Sequence, residues 1–366
     1  MSKILLLGDI CLTGYSISDP HLTDRIQNSI VHIDHIFANL EFSFHDKLIP
    51  DNINYNKVSL FAPSSVSTLL SSITGVCLAN NHSMDLGYDT AKYTKELLET
   101  HNIKSWGIGA NLNDARAPQI IKIDNYALAI LSYSCLTTNG ENYATFSCPG
   151  VPPLSVEYVI EDIAAAKQLK SDFIMVSLHW GVENSHMPTP DQVAIAHKII
   201  DEGADLIWGH HPHTIQPVEL YKNKIIAYSL GNFAFRDIEY ITISGNSKTT
   251  SCLKQSLRNK ESIGLEIELY NNEIHLINII PFSSKNDGIP EKIKLSDLSF
   301  DFNDHCKQLD RFIRRYHRKI KQFNNPQMQI VFNGRIYQIK NTLLPFHRWA
   351  KQSFFRKYLT SLIKSP

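Results

Sequence analysis

Short apolar runs that stop at glycine, asparagine or a charged or histidine residue recur along this chain, and stretches with helical spacing lie between them. Residues 3–7 lead into Gly8-Asp9, and residues 35–40 close on Glu41. Residues 75–79 run into Asn80-Asn81-His82, and residues 173–178 lead to His179. Residues 206–208 pass through Gly209 into His210, His211, Pro212 and His213, while residues 225–230 end in Gly231-Asn232-Phe233. Runs that are apolar throughout, rather than alternating, mark strands buried on both faces. Segments 64–72, 88–101, 156–169 and 192–202 space their apolar residues as helices do. Ala91, Leu97 and Leu98 form the inner side of the second, and Gly203 closes the fourth.

Strands that alternate with helices predict a layered α/β fold. Residues 120–123 and 127–131, split by Asp124-Asn125, predict a hairpin. Residues 264–269 and 274–280 alternate and predict an antiparallel pair, hence a mixed sheet. The stretch 244–251, rich in Ser, Thr and Asn, is expected to be a surface loop. A helix is expected over 298–321, broken by Asn324-Asn325-Pro326. The boundary between a main domain, 1–290, and a C-terminal extension, 291–366, is placed just before it.

Composition changes this picture in one respect. With 43% hydrophobic and 20% charged residues, wholesale disorder is excluded. The net charge of zero, however, conceals an asymmetry, because no acidic residue follows Asp310 while 13 Lys or Arg do. Residues 1–310 therefore hold 23 basic against 36 acidic residues. In the tail, Phe355, Tyr358, Leu359, Leu362 and Ile363 share one helical face, with Arg356, Lys357 and Lys364 opposite. A cationic amphipathic helix of this kind suits an anionic membrane surface, and equally suits packing on the acidic body. Nucleic acid ranks last as a partner, since no recognition motif accompanies the charge. The six cysteines lack metal or redox spacing and read as reduced thiols. The apolar run after Met1-Ser-Lys is too short for a signal-peptide core, and no run reaches the ~20 residues of a membrane span. A cytoplasmic location is expected, peripheral at the inner face of the cytoplasmic membrane where the tail binds lipid rather than the body.

The chemistry lies at the run ends. Two-metal hydrolysis needs a carboxylate shared by both ions, further carboxylate or amide oxygens, and several imidazoles. Asp9 and Glu41 offer carboxylates, Asn81 an amide oxygen, and His179, His211 and His213 imidazoles, all at the carboxyl ends of predicted strands, where open α/β sheets bind ligands. Mixed oxygen and nitrogen donors suit manganese, iron or zinc. Taken singly, Asp9 and Asn80-Asn81-His82 read equally well as turn residues, and His179 as a capped strand end. Three histidines on one turn are harder to explain by packing. Asn232 either orients a ligand or closes a turn. Glu183 and Glu219 are candidates for carboxylates that hold imidazoles, or are solvated loop charges. His101 and His197 fall on predicted helices and read as ordinary surface or packing residues. Trp180 and Trp208 read as wall or core.

The segments Gly8-Asp9, Asn39-Leu40-Glu41, Ala79 through Asp85, His179 through Glu183, Gly209 through His213 and Tyr228 through Phe233 together resemble the CapA family. That family is involved in bacterial capsule and poly-γ-glutamate synthesis and is similar to the calcineurin-like metallophosphoesterases. The resemblance implies a four-layer α/β/β/α sandwich with a site for two divalent ions. It assigns Asp9 and His213 to one ion, Glu41 to both, and Asn81, His179 and His211 to the other. His82 becomes the general acid, with Asn39, Asn80 and His210 as additional or supporting residues. One position departs from the pattern: Cys11 stands where the related phosphoesterases carry a histidine, a gap left to His210 or water. The implied activity is a metal-dependent hydrolase acting on a phosphoester or related polymer linkage in cell-surface polymer synthesis. The alternative is a non-catalytic, polymer-binding accessory of a capsule-assembly complex.

Overall fold

In the computed structural model, the described residues are 1–17, 27–28, 30, 33–47, 58–138, 142–244, 247–284, 287–323, 329–332 and 335–338. They divide into two compact units, Met1–Leu309 and Asp310–Pro366.

The first unit is built on two mixed sheets. The larger orders its strands Glu291–Lys292, Glu273–Ser283, Glu261–Tyr270, Ile4–Cys11, His35–Leu40, Gly75–Cys77 and Lys104–Trp106, with Asn232–Phe235 also paired to Ile4–Cys11. The smaller runs Val218–Tyr221, Lys224–Ala227, Leu206–His210, Phe173–His179, Tyr126–Ser134 and Gln119–Ile123. The central strands of both are parallel; antiparallel hairpins close both edges of the smaller sheet and one edge of the larger, whose other edge, Lys104–Trp106, is parallel to its neighbour.

Side-chain alternation along each strand sorts the layers. Ile4, Leu6 and Phe37 pack with Leu128, Ile130, Phe173, Met175, Leu206 and Trp208, so the two sheets meet face to face. Their neighbours Leu5, Leu7, Ile36 and Ala38 point the other way, onto Val66, Leu69 and Leu70 of the 3-10 helix Ser64–Leu70 and onto Ala91 and Leu98 of the helix Tyr88–Thr100. On the far face of the smaller sheet, Tyr133 donates to Asp162 in the helix Val156–Gln168, which packs beside the helix Pro190–Asp201. The result is a four-layer α/β/β/α sandwich. Burying each core aliphatic stabilises the fold by roughly 1.5–3 kcal/mol, which accounts for the unbroken apolar runs.

Several expectations need correction. Segment 244–251 is no loop: Ile238–Ser244 and Ser247–Leu253 pair as an antiparallel hairpin. Its Thr residues favour extended backbone. The helix expected from 298 starts at Phe302. Residues 298–309 cohere with the first unit, because Ser299 donates backbone and hydroxyl bonds to the Glu261 carboxylate and Leu298, Phe302 and Leu309 are buried. Helix Pro190–Asp201 begins earlier than its apolar spacing suggests, since Thr189 and Gln192 form a capping box with Pro190 in the first turn. In the second unit, Gln329–Phe332 pairs antiparallel with Arg335–Gln338, so the extension is not wholly helical. Its β-branched and aromatic residues flank Asn333-Gly334 in sequence, a hairpin signal. The amphipathic segment expected at 355–363 lies outside the described residues. Among the described residues no helix is long and apolar enough to cross a membrane.

Candidate metal centre

The carboxyl edges of both sheets converge on one cluster. Asp9 comes from Ile4–Cys11, and Glu41 follows His35–Leu40. His179 ends Phe173–His179, while His211 and His213 follow Leu206–His210. Gly8 makes the close approach possible: a Cβ there would lie 1.8 Å from the Gly231 carbonyl oxygen. That oxygen accepts the Asp9 N–H at 2.9 Å and brings Asn232 into register beside Asp9.

Two groups of metal-capable atoms form, each within 4.8 Å: Glu41 with His179 and His211, and Asp9 with Glu41 and His213. Glu41 belongs to both. It is wholly buried, and neither of its carboxylate oxygens has a hydrogen-bond partner. His179 Nε2 lies 3.4 Å from Glu41 Oε1 and 2.6 Å from Asn81 Oδ1. His213 Nε2 lies 3.7 Å from Glu41 Oε1, and its Nδ1 lies 3.5 Å from Asp9 Oδ2. His211 is buried with Nδ1 unpartnered. Both His211 and His213 adopt left-handed backbone, with φ of 94° and 57°. Such strain in non-glycine residues gathers at functional turns.

Neighbouring polar groups hold these side chains in place. Asn39 Nδ2 donates to Asp9 Oδ1 at 2.9 Å and lies 3.4 Å from His179 Nδ1. Asn80 supports Asn39 Oδ1 at 3.1 Å and uses its own oxygen to organise the turn through His82 N and Ser83 N. Asn232 Oδ1 sits 2.9 Å from His213 Nδ1, so it orients that ring. His210 lies outside both groups; its Nδ1 approaches Asp9 Oδ1 at 3.3 Å and its ring packs on Trp208. Cys11 does not fill the position of a ligand, because its buried thiol contacts Thr13 and burial pushes it up to about 12, keeping it neutral. Glu183 is exposed on the loop after His179, where its charge acts on His82 and His213.

Burial sets the charge states. It pushes the Glu41 carboxyl up to about 7. Burial also works to raise Asp9, yet the His210 ring, with His213 and His179, holds that carboxyl well below the usual range. Burial keeps His179 and His211 neutral. It opposes the charged form of His213 as well, but the Glu41 and Asp9 carboxylates outweigh it and raise the ring.

His82 stands beside the cluster. Burial works against its charged form, but Asp85, whose Oδ2 is 2.7 Å from His82 Nδ1, raises it. The sequence reading left Asp85 without a role, although a carboxylate three residues after a histidine is the spacing such a pair needs. One expectation does not survive: Glu219 holds none of the clustered imidazoles, since its oxygens bind His197 Nε2 at 2.9 Å and the Tyr228 hydroxyl at 2.7 Å. His197 also stacks on Tyr221, and His101 Nε2 meets Ser67 at 2.9 Å. Trp180 and Trp208 are core residues, with indole N–H groups bonded to the carbonyls of Tyr228 and Leu7.

Residues 3–237 match the family model described as bacterial capsule synthesis protein PGA_cap. The chain is 29% identical over 282 residues to the capsule biosynthesis protein CapA of Bacillus anthracis, covering 75% of this chain and 62% of that protein. It is 33% identical over 228 residues to the PGA biosynthesis protein CapA of Bacillus subtilis (strain 168), covering 62% of this chain and 57% of that one. The chain thus spans less than two thirds of the length of these relatives. Among solved structures, a novel phosphatase from Mycoplasma pneumoniae overlaps with a TM-score of 0.46 at 12% identity, covering 83% of this chain and 98% of that one.

Proposed function

The chain belongs to the bacterial capsule synthesis protein PGA_cap family, and from that premise we propose that it is a metal-dependent hydrolase of a phosphoester or related polymer linkage in cell-surface polymer synthesis. The observation that carries this reading is Glu41. A fully buried carboxylate with both oxygens unpartnered, shared by two ligand groups, is costly unless a cation compensates it. The residues therefore fit the group that the family implies.

Asp9, Glu41 and His213 would hold one ion; Glu41, His179 and His211, with the Asn81 oxygen, would hold the second. The donor set suits manganese, iron or zinc. Divalent ions held there supply Lewis acidity toward the attacked group and the water that attacks it. The rest of the work falls to the chain. Asn39 and Asn232 fix the Asp9 carboxylate and the His213 ring, so little reorganisation is left for the reaction. His82, whose charged form Asp85 favours through Nδ1, would use Nε2 to protonate a leaving oxygen.

The test is elemental analysis of purified protein together with turnover of an aryl phosphate. Near-stoichiometric divalent metal and chelator-sensitive cleavage are expected. Protein that binds no metal and stays inert under added manganese or zinc would overturn the proposal. One observation favours a second reading, a non-catalytic accessory: Cys11 supplies no ligand where the related enzymes have a histidine. A partner pull-down that survives Glu41→Ala while turnover is absent in the wild type would select it.

A further inference from the structure

A cavity of about 270 Å³, lined by none of the clustered ligand residues, lies between the loop that follows His179 and the start of the helix Phe302–Phe323. Its size is near the low end of roughly 300–1,000 Å³ typical of small-molecule sites. Three nitrogen-bearing side chains, Arg258, His186 and His305, line it. The Arg258 guanidinium stacks 4.5 Å above the Phe300 ring and has no carboxylate partner among the described residues. His305 is 6% exposed, with Nε2 unpartnered, and His186 has its buried Nδ1 unpartnered. Burial, with Arg258 beside them, holds both imidazoles below their ordinary range, so neither adds charge near neutral pH. No metal-capable group of three occurs here among the described residues.

The opposite charge is also present. Asp301 and Asp304 line the same cavity, and neither has a basic partner among the described residues. Their recorded bonds are structural: Asp301 accepts the Asp304 N–H, and Asp304 accepts from Gln308. A guanidinium fork matches a carboxylate, and two carboxylates match an ammonium. Met187 and Phe300 supply the apolar part of the wall.

We propose that this cavity is a second ligand site, for a small zwitterion that carries a carboxylate, an ammonium and an uncharged side chain, such as a neutral α-amino acid. Arg258 takes the carboxylate, and Asp301 and Asp304 take the ammonium. A third negative charge is disfavoured by the same two aspartates. The site borders the metal cluster without belonging to it: Asn259, next to Arg258, donates to Asn184 Oδ1 at 2.9 Å and to the His213 carbonyl at 3.0 Å. The inference does not depend on hydrolase activity.

The experiment is calorimetric titration of the full chain with L-methionine, N-acetyl-L-methionine, L-methioninamide and L-glutamate. Saturable binding of L-methionine is expected, with each of the other three at least about 10-fold weaker. Arg258→Gln and, separately, Asp304→Asn should each weaken L-methionine at least about 10-fold while circular dichroism stays native, and Glu41→Gln should leave it unchanged. Asp304 lies partly exposed at the helix start, so its variant serves if Arg258→Gln fails to fold. Absence of saturable L-methionine binding overturns the proposal. So does equal binding of N-acetyl-L-methionine, which would mark a simple anion site, or indifference to both substitutions.

Discussion

Two buried ionisable clusters in this molecule are satisfied in opposite ways. On the outer face of the smaller sheet, Arg116 grips Asp162 through Nε and a terminal nitrogen, each at 2.9 Å, and reaches Glu161 and the Tyr158 carbonyl as well. Tyr133 also donates to Asp162, at 2.6 Å. That network closes on itself. At the joined edges of the sheets, Asp9, Glu41, His179 and His211 are buried more deeply than that network, whose Glu161 is exposed, yet Glu41 has no donor and His211 Nδ1 has no partner. A closed network rigidifies a fold, whereas an open one waits for something that the chain does not carry. The difference separates a structural cluster from a functional one more sharply than burial or residue type does.

The comparison can be broken at either end. The largest effect is expected from Glu41→Gln, which should remove at least one bound ion per chain by elemental analysis and lower turnover about 100-fold or more. The same change should leave the stability of the metal-free protein within about 1 kcal/mol in urea, because it removes no hydrogen bond. His82→Gln should retain the metal and lose about 100-fold in kcat, measured on the aryl phosphate. Asp162→Ala should do the reverse: metal content holds, while unfolding free energy falls by about 3 kcal/mol, near the low end for a buried pair because Arg116 keeps Glu161 as a partner.

The smallest effect sharpens the picture through pH. Burial raises the Glu41 carboxyl to about 7, and its ionised form is the ligand. Protons therefore compete with metal as pH falls through 7, and affinity weakens by up to about tenfold per pH unit. Titration of manganese near pH 6 and pH 8 checks this; affinity that is flat or stronger at the lower pH contradicts it.

Much of the fold was legible beforehand because it rests on local pattern. Apolar runs such as Phe173–His179 are strands buried on both faces, and their lengths and ends follow directly. Segment 244–251 was misread because its run of Ser, Gly, Asn, Lys and Thr carries no apolar alternation. Site residues were legible where the type is unusual for its place, as with three histidines on one turn. Asp85, Arg258 and His305 were not, because single charged residues on loops and helix ends look alike until their partners are known.

Chain order alone places a ligand-type residue at the end of each central strand, because hydrophobic periodicity and turn chemistry act over a few neighbouring positions. It could not say which of those ends would meet. That was settled when two sheets packed face to face, with Gly8 against Gly231, leaving one glutamate between two groups and another, Glu219, bound to His197. Contacts between residues tens to hundreds of positions apart depend on how the layers stack, and stacking is a property of the whole core.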